Sequence, residues 1–144
     1  MKNKFLQVFF TILLSNFFYF SAYSIEQFSF DITEIEILND GNIIKGSKKG
    51  SVQTDDGITI SADTFIYNKL SNILNADGNV EIIDSNRNIK IYTDNAVYKK
   101  NNETITTNQN SKAIFENGKS IFADNFEFNR NKDILNARNN VKIL

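Results

Sequence analysis

Ile58-Thr59-Ile60-Ser61-Ala62-Asp63-Thr64-Phe65-Ile66-Tyr67-Asn68 carries apolar residues at every second position up to Ala62, then skips one residue and resumes at Phe65 and Tyr67. Strand side chains alternate between faces with period two, so a single skipped residue means a strand that bends or bulges at Asp63-Thr64 while keeping one face apolar. The following stretch, Leu74-Asn75-Ala76-Asp77-Gly78-Asn79-Val80-Glu81-Ile82, has the same character and breaks at Gly78-Asn79, residue types that tolerate positive φ. A polar connection, Asn68 to Asn72, joins the two.

The pattern recurs. Ile89-x-Ile91-x-Thr93-Asp94-x-Ala96-x-Tyr98 and Ile121-x-Ala123-Asp124-x-Phe126-x-Phe128 repeat the first stretch. Phe28-x-Phe30-x-Ile32-x-x-Ile35-x-Ile37 repeats it with Thr33 in place of the Asp. Positions 32, 62, 93 and 123 lie 30, 31 and 30 residues apart. The companion stretch returns as Leu135 to Ile143 and, more weakly, as Ile105-x-Thr107 with Ser111-x-Ala113-x-Phe115. Repeats of 20 to 50 residues or so denote stacked supersecondary units. The units here run approximately 28–54, 58–84, 89–115 and 119–144. No window after the leader keeps a helical stripe, and polar connections at 84–88, 99–103, 116–119 and 129–133 return the chain at alternate ends. The expected fold is all-β, an antiparallel meander of bent strands folded over as an open V-shaped β-jelly roll. Its inner face would comprise Ile58, Ile60, Ala62, Phe65, Tyr67, Leu74, Val80, Ile82, Ile91, Tyr98, Phe115, Phe126, Phe128, Leu135 and Val141.

Residues 1–24 read as a cleaved signal peptide. Lys2 and Lys4 precede an apolar run from Phe5 to Phe20, and Ala22-Tyr23-Ser24 offers a small-x-small cleavage site. The domain then occupies 25–144, and the expected location is the periplasm, with an association with the outer membrane as an extension of it.

Composition narrows the chemistry. The 144 residues contain no Cys, His, Pro or Trp, which removes disulfides, thiolate and imidazole metal sites, Cys or His nucleophile chemistry and the usual general base of acyl transfer, leaving carboxylates, hydroxyls, Tyr and Lys as reactive groups. Beyond the leader 14 basic residues face 17 acidic ones, a net charge of −3 that gives no footprint for nucleic acid. Asp63, Asp94 and Asp124 share one register, which assigns them to backbone corners rather than to a catalytic carboxylate cluster. Asp55, Asp56, Asp77 and Asp84 lie in turns that lack a calcium-loop rhythm. Gly46-Ser47-Lys48-Lys49-Gly50 lacks the spacing of a nucleotide-phosphate loop and reads as a connecting loop. No enzymatic activity, cofactor or metal is expected.

The units Ile60 to Asn68 and Leu74 to Ile82 resemble the "A-D-x-x-x-Y … A-x-G-N-V-x-I" repeats of the organic-solvent-tolerance (OstA-like) family. That family supplies the periplasmic bridge of lipopolysaccharide transport and the N-terminal domain of the outer-membrane lipopolysaccharide assembly protein. The likeness returns at Ala123 to Phe128 and Ala137 to Ile143 and spans most of the chain after the leader. Asn108-Gln109-Asn110 departs from it where Gly-Asn-Val is usual.

The resemblance implies a hydrophobic groove that accepts lipopolysaccharide acyl chains, with Lys48 or Lys49 as candidate contacts for lipid phosphate. It also implies partnership with other β-jelly-roll proteins of the transport bridge by edge-strand addition, and with an outer-membrane β-barrel. The chain corresponds either to a short bridge protein or to part of the assembly protein, with its opening strand closer to the latter. The competing expectation is a secreted structural or adhesive β-repeat protein with a closed core and no lipid.

Overall fold

A computed structural model describes residues 27–144; the leader expected at 1–24 lies outside the described residues. Twelve strands form one sheet: β1 (Ser29–Leu38), β2 (Ile43–Gln53), β3 (Ile58–Ala62), β4 (Thr64–Asn68), β5 (Ile73–Asp84), β6 (Ile89–Lys99), β7 (Thr104–Asn108), β8 (Ser111–Phe115), β9 (Ser120–Ala123), β10 (Asn125–Asn129), β11 (Ile134–Arg138) and β12 (Lys142–Ile143). Every pairing is antiparallel. A 3₁₀ turn at Lys100–Asn102 is the single helical piece among the described residues.

The pairings group the strands into eight bent rods. β1, β2, β5 and β6 run through the bend unbroken, whereas β3–β4, β7–β8, β9–β10 and β11–β12 are interrupted there by one to three residues. β2 shows the consequence: its first half pairs with β4 and its second half with β3. The sheet therefore divides into two arms. The first contains β4, β7, β10 and β11 with one half of each long strand, and the second contains β3, β8, β9 and β12 with the other half.

The bend has a repeated construction. On alternate rods two consecutive residues adopt left-handed φ: Lys48-Lys49 (64° and 56°), Gly78-Asn79 (78° and 50°), Gln109-Asn110 (68° and 48°) and Asn139-Asn140 (62° and 51°). On the rods between them the corner Asp accepts a hydrogen bond from an Asn amide 16 residues later. Asn79 Nδ2 donates to Asp63 Oδ2 at 2.7 Å, Asn110 to Asp94 at 2.6 Å and Asn140 to Asp124 at 2.8 Å. Asx side chains tolerate this conformation because they can hydrogen-bond locally. Gly78 is required twice over, since a Cβ there would lie 2.6 Å from the Asp63 carboxylate. Lys48-Lys49 is the costly pair, because left-handed φ costs an ordinary L-residue roughly 1–2 kcal/mol. Lys49→Asn is accordingly expected to raise the unfolding free energy by about 0.5–1 kcal/mol, read from urea transitions with unchanged slope.

That pair also corrects the reading of Gly46 to Gly50 as a loop. The stretch is the middle of β2, paired with β1 on one side and with β3 and β4 on the other. Its glycines mark close packing. A Cβ on Gly46 would lie 2.6 Å from Ile32 Cδ1, and one on Gly50 would lie 2.6 Å from the Asp31 carbonyl.

Between the arms sits one apolar cluster that includes Val52, Ile58, Phe65, Leu74, Val80, Ile91, Tyr98, Ile105, Phe126 and Phe128. Phe28 closes it on the β1 side, edge-on to Tyr67 and Tyr98 with ring centroids 4.7 and 5.8 Å away.

Candidate functional site

The two arms each present one face to this cluster. Ile58, Ile60, Ala62, Phe65, Tyr67, Leu74, Val80, Ile82, Ile91, Tyr98, Phe126 and Phe128 are all buried there, none more than 6% exposed. Phe115 and Leu135 pack against the cluster from partly buried positions, and Val141 is 49% exposed. One segment of the inner surface is polar. Thr93 and Thr107 both lie within 3.1 Å of the Ser111 hydroxyl, and Thr107 Oγ1 accepts from the Phe126 amide at 2.9 Å. These hydroxyls occupy places that Ala62, Ala76 and Val80 fill one repeat period earlier.

At two places the inward face runs past its cover. Ile35 and Ile37 pair with Gly46 and Ile44 on the inward register of the first arm, yet are 48% and 65% exposed at the β1 edge. Ile143 pairs with Ile121 at the opposite edge of the second arm and is 67% exposed. Each arm overhangs the other at one end of the sheet.

Lys48 and Lys49 lie at the bend, on the far side from the mouth where the arms meet. Lys48 Nζ pairs with Glu34, and Lys49 Nζ is 3.9 Å from Asp63.

The mouth holds the feature that sequence patterning missed. Because every rod is folded at mid-length, turns at opposite ends of the meander face one another. The first arm contributes Tyr98, Lys100, Glu103, Arg130 and Asp133, and the second contributes Asp56, Asp84 and Arg87. Arg130 is only 2% exposed and all its nitrogens are engaged: Nε donates to Asp84 Oδ2 (2.8 Å), Nη1 to Asp56 Oδ2 (2.8 Å), Tyr98 Oη (2.9 Å) and Glu103, and Nη2 to the Asp56 carbonyl (3.2 Å). Lys100 Nζ adds bonds of 2.7 Å to both Asp56 and Glu103. Arg87 crosses the other way, pairing with Asp133 and donating to the Arg130 carbonyl at 2.6 Å. A backbone bond from the Arg130 amide to the Glu103 carbonyl at 2.9 Å sets the base of the Arg130 side chain. The expected open gap between the arms is therefore bridged, because the two margins carry complementary charge.

Burial and hydrogen bonding act in opposition here. Burial alone would raise the Asp56 carboxyl, but hydrogen bonds from Lys100, Thr54 and Arg130 outweigh it and hold the group well below the usual carboxylate range. Burial would likewise lower Arg130, yet its bonds to Asp84 and Asp56 keep it firmly protonated. Burial, then donation to Glu103, pushes the Tyr98 phenol far above its ordinary value.

A depressed carboxyl stabilises the fold fully above its unfolded value of about 3.9, and that contribution drains as pH falls toward the lower folded value. Stability measured by urea at pH 7 and pH 5 is therefore expected to differ little on account of Asp56. Between pH 4 and pH 3 or so it should fall, and less steeply in Asp56→Asn.

No protein-family model matches the sequence, and no curated protein matches it. Among solved structures, the crystal structure of LptH, described as the LptA-homologous periplasmic component of the lipopolysaccharide transport device of Pseudomonas aeruginosa, superposes with a TM-score of 0.72. The chain shares the LptH fold. The match covers 81% of this chain and 93% of LptH at 12% identity, so the likeness to LptH is one of backbone architecture.

Proposed function

We propose that this protein is a non-enzymatic carrier in the periplasm that shelters the acyl chains of lipopolysaccharide between the two arms of its bent sheet. The observation that carries the reading is the pairing of an LptH-like architecture with an inner face that is apolar except at Thr93, Thr107 and Ser111. Acyl chains need such a shelter in water, since each CH₂ removed from it is worth about 0.8 kcal/mol. The phosphate-bearing sugars would stay at the margins. Lys48 and Lys49, remote from the mouth, would meet phosphate only at the outer side of the bend.

The overhanging edges suit the partners expected from the OstA-like resemblance. β1 and the β11–β12 rod each end the sheet with unpaired backbone groups beside uncovered Ile35, Ile37 and Ile143, an arrangement open to strand addition by another β-jelly roll. An outer-membrane β-barrel protein bearing such a domain would be one such partner.

Burial of the inner residues from Ile58 to Phe128 favours the second reading, a closed structural domain that takes no lipid. Photo-crosslinking separates the two. With lipopolysaccharide present, a photoreactive side chain at the inward positions Phe65, Phe115 or Leu135 is expected to form lipid adducts, and one at the outward positions Thr64 or Ile66 to form none. Silence at every position in folded protein would establish the closed reading.

A further inference from the structure

Resting on the carrier reading above, we infer that the Arg130 cluster is a latch across the mouth, and that lipid enters sideways by parting the two margins at this point rather than by threading the ends of the sheet. Three observations support it. First, the twelve lining residues from Ile58 to Phe128 named above are at most 6% exposed, so the part of the apolar interior they form has no wide opening to water along the bridged mouth. Second, the bridge is local: Arg130, Lys100 and Arg87 supply the cross-arm ion pairs to Asp56, Asp84 and Asp133, drawn from turns up to 74 residues apart. Third, the opposite side of the V is a row of left-handed bends at which four of the eight rods are interrupted and the pairing of β1 with β2 and of β5 with β6 shifts register, so a turn of the arms about that line strains few ladder bonds.

The chemistry of the bridge suits a part that opens. A buried ion pair gains Coulomb energy but loses hydration, so parting the margins, which returns the charges to water, costs far less than the bonds broken would by themselves. An apolar seam in the same place would expose hydrocarbon on opening. A lipid with a bulky charged headgroup also cannot be drawn lengthwise through an interior packed with side chains, whereas a lateral opening admits the acyl chains and leaves the headgroup outside.

The absence of cysteine makes a direct test clean. Asn86 and Asn131, from opposite margins, line one polar cavity of about 370 Å³ together with Asp56, Arg87, Glu103 and Arg130. The double variant Asn86→Cys/Asn131→Cys can be bridged by a bismaleimide containing an internal disulfide. With a photoreactive side chain at Phe115 and purified lipopolysaccharide, bridging is expected to reduce adduct formation by about tenfold or more, and reductive cleavage to restore it. Equal adducts with and without the bridge would overturn the latch while leaving the carrier reading intact.

Spin labels on the same two cysteines give a readout that needs no lipid. Asp84→Asn is expected to broaden the single short distance toward longer separations, with the far-UV signal of the sheet unchanged. An unchanged distance distribution would overturn the latch. Absence of adducts in bridged and unbridged protein alike, with the distance still lengthened by Asp84→Asn, would reject the carrier reading and retain a latch on a mouth that opens for another ligand.

Discussion

Arg130→Met is expected to lower the unfolding free energy by about 3–5 kcal/mol, the usual cost of deleting one partner from a buried ion cluster. The loss comes less from the missing bonds than from what is left behind. Asp84 is 1% exposed, and without Arg130 its remaining cationic partner is Arg87 Nη1 at 3.2 Å. Tyr98 also loses the Nη1 donor, and Glu103 and Asp56 are left facing each other across Lys100. Arg130→Met/Asp84→Leu should recover much of the deficit, since replacing a whole buried pair by apolar residues is often neutral. Arg138→Met is the control: its pair with Glu127 at 3.1 Å has side chains 67% and 42% exposed, and exposed pairs contribute about 0–1 kcal/mol. Urea transitions of the four proteins decide it. A cost for Arg130→Met no larger than that for Arg138→Met would mean the cluster is well hydrated and bridges nothing.

Phe126→Ala is expected to cost about 3–5 kcal/mol, toward the upper end of core truncations. Phe126 is 2% exposed on the inward face of β10, where its neighbour on β11 is the small Ala137. How much a cavity costs depends on how far its walls can collapse. Here they cannot move far, because the Phe126 amide is held by Thr107 Oγ1 at 2.9 Å and the strand is paired on both sides. Glu127→Ala, facing the other way, should stay within about 0.5 kcal/mol. On the carrier reading acyl methylenes fill the space left by the ring. Thermal denaturation with saturating lipopolysaccharide should therefore show a smaller deficit for Phe126→Ala than denaturation without it; an equal deficit would place the lipid elsewhere.

The bent antiparallel meander was legible in the sequence because it is written locally. The phase slip at Asp63-Thr64, the Gly78-Asn79 break and the identity of the inward residues all follow from spacing within a dozen positions. Gly46 to Gly50 was misread because glycine marks two different things, a free turn and a close approach, and only the position of Ile32 above it distinguishes them. The mouth was illegible for another reason. Asp56, Asp84, Glu103 and Arg130 each stand in a turn cluster that alone reads as solvated, and their contacts span 27 to 74 residues. One trace was present: this Lys-rich chain has three arginines, and Arg87 and Arg130 both lie in turns. Arginine, with its rigid fork of donors, is the cation suited to a desolvated carboxylate site.

The row of bends places no upper limit on the number of rods, since each corner needs only its neighbour. The latch does impose one. Arg130 lies in the turn joining the last two rods and Asp56 in the turn joining the second and third, so they meet only when the rods between them, with the twist these accumulate, bring the two margins to the same point. One repeat more or fewer would preserve the alternation of faces, the corner Asp bonds and most of the core, yet carry Arg130 past its carboxylates. The charged cluster thus acts as a gauge of length on a sheet that otherwise has none.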